Sequence, residues 1–299
     1  MNFLSQCTLE VTPGGAKKIR NFAEILEPET TVFVTFLAGS DFADTTKTVV
    51  RLKQEGMNPV PHFAARSTAS KSGLEESLNV LQAETGIDEV LVVAGGNDHP
   101  VGDFDSTMQL LETGLFEKYG IGKIGVAGHP EGSSDIPPEE INRALREKNT
   151  YARTHDIEMY IVTQFCFEAA PIIEWDRRIR EQGNKLPIHI GIPGLATIKS
   201  LIGHSKACGI GPSMRVLTRQ AGNIAKLMTT SAPDRLVRDL AVYAAIDKNC
   251  GIKKCHLYPL GGLQKSAAWL YSVQEGNFEL DSGNGFRVIQ SAHKKVANQ

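Results

Sequence analysis

Apolar, β-branched runs alternate with stretches of helical periodicity along most of the chain, and each run ends in polar residues or glycine. The pattern predicts strands at Gln6–Thr12, Thr31–Leu37, Asn58–Ala65, Glu89–Gly95, Lys123–His129, a run from Met159 ending at Thr163-Gln164, Pro187–Gly194 and Lys254–Gly261. Helices are predicted at Lys17–Leu26, Asp44–Gly56, Ser72–Gly86, Asp105–Tyr119 and Pro138–His155. Three more run through Ile172, Trp175 and Ile179 to Gly183, from Thr197 onward, and over Leu263–Val273. Gly56 and Gly86 stand where a helix end favours a left-handed residue. Parallel strands need crossover connections, and eight strand-then-helix units predict a closed (β/α)8 TIM barrel. A doubly wound open sheet is the competing arrangement.

The interval between the seventh and eighth strands exceeds one crossover. Arg215–Met228 and Asp234–Lys248 both carry helical periodicity there, so extra helices are predicted. No internal repeat, low-complexity tract or long linker interrupts the chain, which predicts one domain over residues 1–299. The polar tail Ser291–Gln299 is expected to fray.

Composition narrows the classes. With 41% apolar and 22% charged residues, the 299-residue chain has the make-up of a globular protein. A net charge of −2 argues against nucleic acid or an anionic membrane surface as a general partner. No apolar run approaches the ~20 residues of a bilayer span. The opening Met-Asn-Phe-Leu-Ser-Gln has neither a basic region nor an apolar core, so no secretory signal is expected. The five cysteines (Cys7, Cys166, Cys208, Cys250 and Cys255) form no Cys-x-x-Cys pair, the pattern of reduced thiols in a cytoplasmic protein. No metal site is expected, because the eight histidines form no His-x3-His or His-Glu-x2-His pair. A phosphate loop and a Gly-x-Ser-x-Gly elbow are both absent, and Gly209-x-Gly211 lacks the third glycine of a dinucleotide fingerprint.

A barrel concentrates chemistry at the C-terminal ends of its strands. The polar residues predicted there are Glu10, Thr35, His62, Asn97, Asp98, His129, Glu131, Gln164 and Tyr258. Glu10 interrupts the apolar first strand. Facing inward, its carboxyl would be desolvated and suited to general-acid work; facing outward, it would be a salt-bridge residue. Gln164 offers an amide that can both donate to and accept from a planar heterocycle, or else it caps a strand end. His62 is either a site residue or a hydrogen-bonded core histidine. Ala94-Gly95-Gly96-Asn97-Asp98 is a glycine-rich strand end whose amides could approach a phosphate or a ring carbonyl.

As a set, these strand ends resemble the methylenetetrahydrofolate reductase family. Thr8-Leu9-Glu10-Val11-Thr12-Pro13 is similar to its Phe-Glu-Phe-Phe-Pro segment, Val34-Thr35-Phe36 to Val-Thr-Tyr, and Pro61-His62-Phe63 to Pro-His-Leu. Ala127-Gly128-His129-Pro130-Glu131 resembles Ala-x-Tyr-Pro-Glu, and Val162-Thr163-Gln164-Phe165-Cys166-Phe167 resembles Ile-Thr-Gln-Phe-Phe-Phe. Ile192-Pro193-Gly194-Leu195 and Cys255-His256-Leu257-Tyr258-Pro259-Leu260 resemble Ile-Pro-Gly-Ile and Phe-His-Phe-Tyr-Thr-Leu. The likeness runs in order from about residue 6 to 270 and implies a barrel without the larger enzymes' regulatory domain.

The resemblance implies an oxidoreductase in which NADH or NADPH passes a hydride to FAD. The nucleotide then leaves, and 5,10-methylenetetrahydrofolate stacks in its place. Protonation opens the folate to a 5-iminium cation, which takes the hydride to give 5-methyltetrahydrofolate; the oxidative direction is also open. By the same resemblance Glu10 supplies the acid and Gln164 binds the pterin. Asn97 or Asp98 takes the place of a carboxylate near the flavin. Thr35, His62, Ala94, Gly95, Gly96, Asn97, His129 and Lys148 line the cofactor. Three departures stand out. Gly95-Gly96-Asn97 replaces the family's Arg-Gly-Asp, His129 replaces a tyrosine, and Gly209–Leu217 holds no evident substrate-gripping aromatic. A flavin-independent variant and a non-catalytic folate- or flavin-binding barrel therefore stand as alternatives. Oligomeric state is open.

Overall fold

The structure is a computed structural model that describes residues 3–207, 228, 230–283 and 285–289. Strands β1 (Thr8–Val11), β2 (Thr31–Val34), β3 (Asn58–Ala64), β4 (Glu89–Val93), β5 (Lys123–Gly128), β6 (Glu158–Thr163) and β7 (Ile188–Pro193) follow one another around a sheet. The sheet closes through β10 (Ile252–Tyr258), in the order β1-β10-β7-β6-β5-β4-β3-β2. Closure excludes the open sheet, and the fold is a (β/α)8 TIM barrel. Parallel register pairs Leu9 with Val32, Val34 with Pro61, and His62 with Leu91. All eight C-terminal strand ends consequently share one rim.

Helices α1 (Pro13–Ala16), α2 (Phe42–Gln54), α3 (Lys71–Thr85), α4 (Thr107–Leu111), α5 (Leu115–Lys118), α6 (Pro138–Thr154) and α7 (Ala169–Glu181) fill the first six crossovers. Their limits follow local chemistry. Asp41 accepts from the Ala43 amide ahead of α2, and Ser70 from the Gly73 amide ahead of α3. Gly86 ends α3 in the left-handed conformation (φ 57°). Beyond β7 lie a two-residue ladder of β8 (Ala196–Thr197) with β9 (Thr230–Ser231), helix α8 (Ile198–Ala207) and helix α9 (Asp234–Ile246). Helix α10 (Leu263–Gln274) follows β10.

The packing divides the chain into two compact units. One comprises Leu9–Ala127 and Ala144–Val162; the other comprises Met1–Thr8, Gly128–Arg143 and Thr163–Gln299. In the first, Phe33, Val60, Leu91, Tyr160 and Val162 form a buried cluster. Gly125 of β5 is the socket for it: a Cβ there would lie 2.9 Å from both Leu91 Cδ1 and the Tyr160 ring.

Several predicted elements change. The helix expected at Lys17–Leu26 is replaced by α1 and a 3-10 turn at Phe22–Glu24, because Thr12 and Asn21 each cap a separate short turn. The helix expected at Asp105–Tyr119 is split into α4 and α5 by Gly114, which adopts φ 69°. One extra helix before the eighth strand is α9; residues 215–227, like Gly209, Gly211 and the tail, lie outside the described residues. A hairpin of β11 (Phe278–Leu280) and β12 (Phe286–Val288) was not expected. Among the described residues, no helix is long and apolar enough to cross a membrane, and no cluster of His, Cys, Asp and Glu could hold a metal ion.

Candidate active site

In the first unit, Glu10 of β1 is the hub. The Thr35 hydroxyl, just past β2, donates to Glu10 Oε1 at 2.6 Å. His62 Nε2 of β3 lies 3.8 Å from Glu10 Oε2. Both side chains are mostly shielded from solvent, and the His62 ring packs edge-on against Phe33, 6.0 Å between centroids. Glu10 pairs with Phe33, and every second residue of a strand shares a face, which puts Phe33 and Thr35 on the face that carries Glu10. A hydroxyl can donate to a carboxylate or accept from a carboxylic acid, and an imidazole can take or give a proton. Glu10, Thr35 and His62 therefore form a polar cluster at three adjacent strand ends, built of groups that can give or take a proton.

The glycine-rich end of β4 is arranged differently from a carboxylate-bearing loop. Asn97 donates through Nδ2 to the Arg66 carbonyl at 3.1 Å and to Ser67 Oγ at 3.2 Å, so its amide is spent bracing the turn after β3. Asp98 is exposed. Gly95 has φ 96°, and a Cβ on it would stand 3.2 Å from Ala64 Cβ. Gly96 has open space where a side chain would be, and the Ala94 carbonyl accepts from the Arg66 amide at 2.8 Å. Arg66 is the residue that sequence reasoning missed. It donates from Nε to Asp105 at 2.8 Å and from NH1 to the Asn97 carbonyl at 3.3 Å. A guanidinium ion-paired with Asp105 thus stands beside the end of β4. The only sequence signal was an arginine directly after the third strand, in Ala64-Ala65-Arg66.

Lys148 of α6 is a buried cation, and desolvation pulls its pKa down from 10.5 to about 8. Its ammonium reaches the Ala127 carbonyl at 3.5 Å, a long contact for a buried charge. A buried ammonium with so weak a partner, and a glycine pair that leaves backbone accessible, fit an anionic, planar nucleotide such as a flavin.

In the second unit, Gln164 follows β6 directly. Its backbone N–H donates to the Gly128 carbonyl at 3.0 Å, and its side-chain Oε1 accepts from the Phe165 amide at 3.2 Å. Nε2 is the donor end of the same side chain. The Thr163 hydroxyl donates to the Gln164 carbonyl (2.9 Å) and accepts from Gly191 N (2.8 Å). His129 is half-buried in the turn that ends β5, its carbonyl accepting from Gly132. Burial, with the nearby negative charge of Glu131 adding to it, pushes the Cys166 thiol well above its ordinary pKa, which removes it as a nucleophile.

These features place the protein among (β/α)8 barrels with polar side chains grouped at their C-terminal strand ends. The methylenetetrahydrofolate reductase family model matches residues 8–268, and the chain belongs to that family. It is 25% identical over 191 residues to methylenetetrahydrofolate reductase 1 of Schizosaccharomyces pombe, a match covering 60% of this chain and 30% of the yeast protein. Among solved structures it is similar to an uncharacterized protein from Clostridium thermocellum that binds two copies of 5-methyl-5,6,7,8-tetrahydrofolic acid. That likeness has a TM-score of 0.60 at 11% identity, covers 92% of this chain and 96% of the other, and bears on the fold.

Proposed function

We propose that the protein reduces 5,10-methylenetetrahydrofolate to 5-methyltetrahydrofolate with a hydride drawn from NADH or NADPH. The observation that carries this reading is the Glu10–Thr35–His62 group, within a chain of the reductase family. A barrel that merely binds folate needs no shielded carboxyl held between a hydroxyl and an imidazole. The folate bound by the Clostridium thermocellum protein supports the substrate class.

In this reading Glu10 delivers the proton that opens the methylene bridge from the oxygen beside His62, which exchanges protons with it, while Thr35 holds the opposite oxygen and sets the carboxyl's orientation. Gln164 donates to the pterin from Nε2. Bound FAD would supply a two-electron relay between nicotinamide and folate. Lys148 and the amides of Gly95 and Gly96 would hold it. A flavin-free transfer is the second reading, favoured by one observation: the Asn97 amide is engaged with the Arg66–Ser67 turn. Buried free thiols at Cys7, Cys166, Cys250 and Cys255 support a cytoplasmic setting.

The test is the visible spectrum of the purified protein, followed by folate-dependent NAD(P)H oxidation. A flavin band that bleaches with NAD(P)H and recovers on adding methylenetetrahydrofolate supports the relay. Colourless protein with folate-dependent oxidation selects direct transfer. Folate-independent behaviour throughout overturns the proposal.

A further inference from the structure

The peptide unit between Thr163 and Gln164 is clamped at both ends. Its N–H donates to the Gly128 carbonyl at 3.0 Å, and its carbonyl oxygen accepts from the Tyr258 hydroxyl at 2.9 Å. Tyr258 belongs to β10, which neighbours β7 rather than β6, so its side chain reaches past a whole strand. The reach has a structural reason. Tyr258 pairs with Pro193, and two residues earlier on β7 stands Gly191, where a Cβ would lie 2.5 Å from the very Thr163 oxygen that Tyr258 binds. Glycine at that position lets the carbonyl lean toward β10.

The ring is itself fixed. It lies 5.3 Å from the Phe165 ring and 4.7 Å, edge-on, from His256, which is bound through Nδ1 to Thr8 Oγ1 at 2.8 Å. The Tyr258 carbonyl accepts from the amides of Gly194 (2.7 Å) and Leu260 (2.8 Å). A strand-final peptide ordinarily has its last carbonyl turned to solvent or a loop. Here a rigid phenol takes that carbonyl and sets the direction from which the Gln164 side chain departs.

We infer that Tyr258 is a positioning residue for Gln164, acting through the Thr163 carbonyl. The inference rests on the reading of Gln164 as the pterin-binding side chain. Tyr258→Phe keeps the ring packing and deletes only the hydroxyl. Losing one hydrogen bond of ordinary strength predicts a roughly five- to tenfold rise in the Kd for 5-methyltetrahydrofolate. The rate at saturating methylenetetrahydrofolate should change much less, because the acid group is untouched.

The decisive experiment is a double-mutant cycle on folate binding with Tyr258→Phe, Gln164→Ala and both together, with thermal melts confirming the fold. Tyr258→Phe should weaken binding in the wild-type background and add nothing once Gln164 is alanine. Losses that add in full, or a Tyr258→Phe protein that binds folate as tightly as wild type, would overturn the inference alone. Wild-type protein that does not bind folate would overturn the functional reading beneath it.

Discussion

Thr35 donates a 2.6 Å hydrogen bond to Glu10, and the other carboxyl oxygen of Glu10 stands 3.8 Å from His62 Nε2. The two oxygens are therefore in unequal environments, one held by a neutral hydroxyl and the other beside a titratable ring. In the proposed mechanism that asymmetry lets one oxygen set the orientation while the other carries the proton.

Glu10→Gln should fold normally, since the amide has the same shape and can still accept from Thr35. It should still oxidise NAD(P)H against an artificial acceptor. Folate reduction should fall by the ~10²–10⁴-fold typical of a lost positioned acid. Stopped-flow measurement of the two half-reactions separately checks this, or direct transfer kinetics if the protein carries no flavin. Near wild-type folate reduction would remove Glu10 from the mechanism.

Thr35→Val gives a graded companion. It removes the 2.6 Å donor at nearly constant volume, so folate reduction should fall less than in Glu10→Gln, by roughly the five- to thirtyfold equivalent of one hydrogen bond to a charged or acidic group. A larger loss than Glu10→Gln itself would mean that Thr35 touches the substrate directly.

Lys148 makes a prediction about stability. Its folded pKa, lowered to about 8, lies beneath the unfolded value of 10.5, so the folded apoprotein binds fewer protons between those limits. Stability contributed by this group therefore rises as pH climbs from 8 to 10.5, and burying the charge is a penalty below pH 8. A shift of that size corresponds to roughly 3 kcal/mol. Lys148→Met should stabilise the apoprotein at pH 7, flatten the rise above pH 8, and weaken flavin binding. Urea melts at pH 7 and 10 and flavin fluorescence titration measure these effects. An unchanged melt at pH 7 would contradict a buried charge.

Much of this architecture was legible in the chain, and the exceptions have physical causes. The barrel strands could be read because buried parallel strands are near-continuous apolar runs, as in Ile188–Pro193, where every residue is buried. Periodicity predicts one helix at Lys17–Leu26 because it is blind to caps, whereas Thr12 and Asn21 each close a turn of their own. Glu10, Thr35 and His62 were singled out by their polar character within apolar strands, and they do come together. What no local pattern could supply was partnership across strands. That Arg66 faces the Asn97 carbonyl, or that Tyr258 crosses β7 to reach Thr163, depends on sequence separations of 31 and 95 residues.

Gly125 and Gly191 give the last prediction, because they differ in what a methyl group would strike. At Gly125 the added Cβ would lie 2.9 Å from Leu91 Cδ1 and the Tyr160 ring, side chains that can shift. At Gly191 it would lie 2.5 Å from the Thr163 carbonyl oxygen and 2.8 Å from the Gln164 backbone, which cannot move without disturbing the strand end. Gly125→Ala should therefore cost about 1–3 kcal/mol of stability, the usual range for overpacking a core, and leave folate affinity close to wild type. Gly191→Ala should be the more destabilising of the two and should also weaken folate binding, because relief of the clash displaces the Thr163–Gln164 peptide. Denaturant melts and folate titrations of both variants decide the matter. Equal effects on folate affinity would show that the Thr163–Gln164 peptide does not govern the placement of the pterin-binding amide.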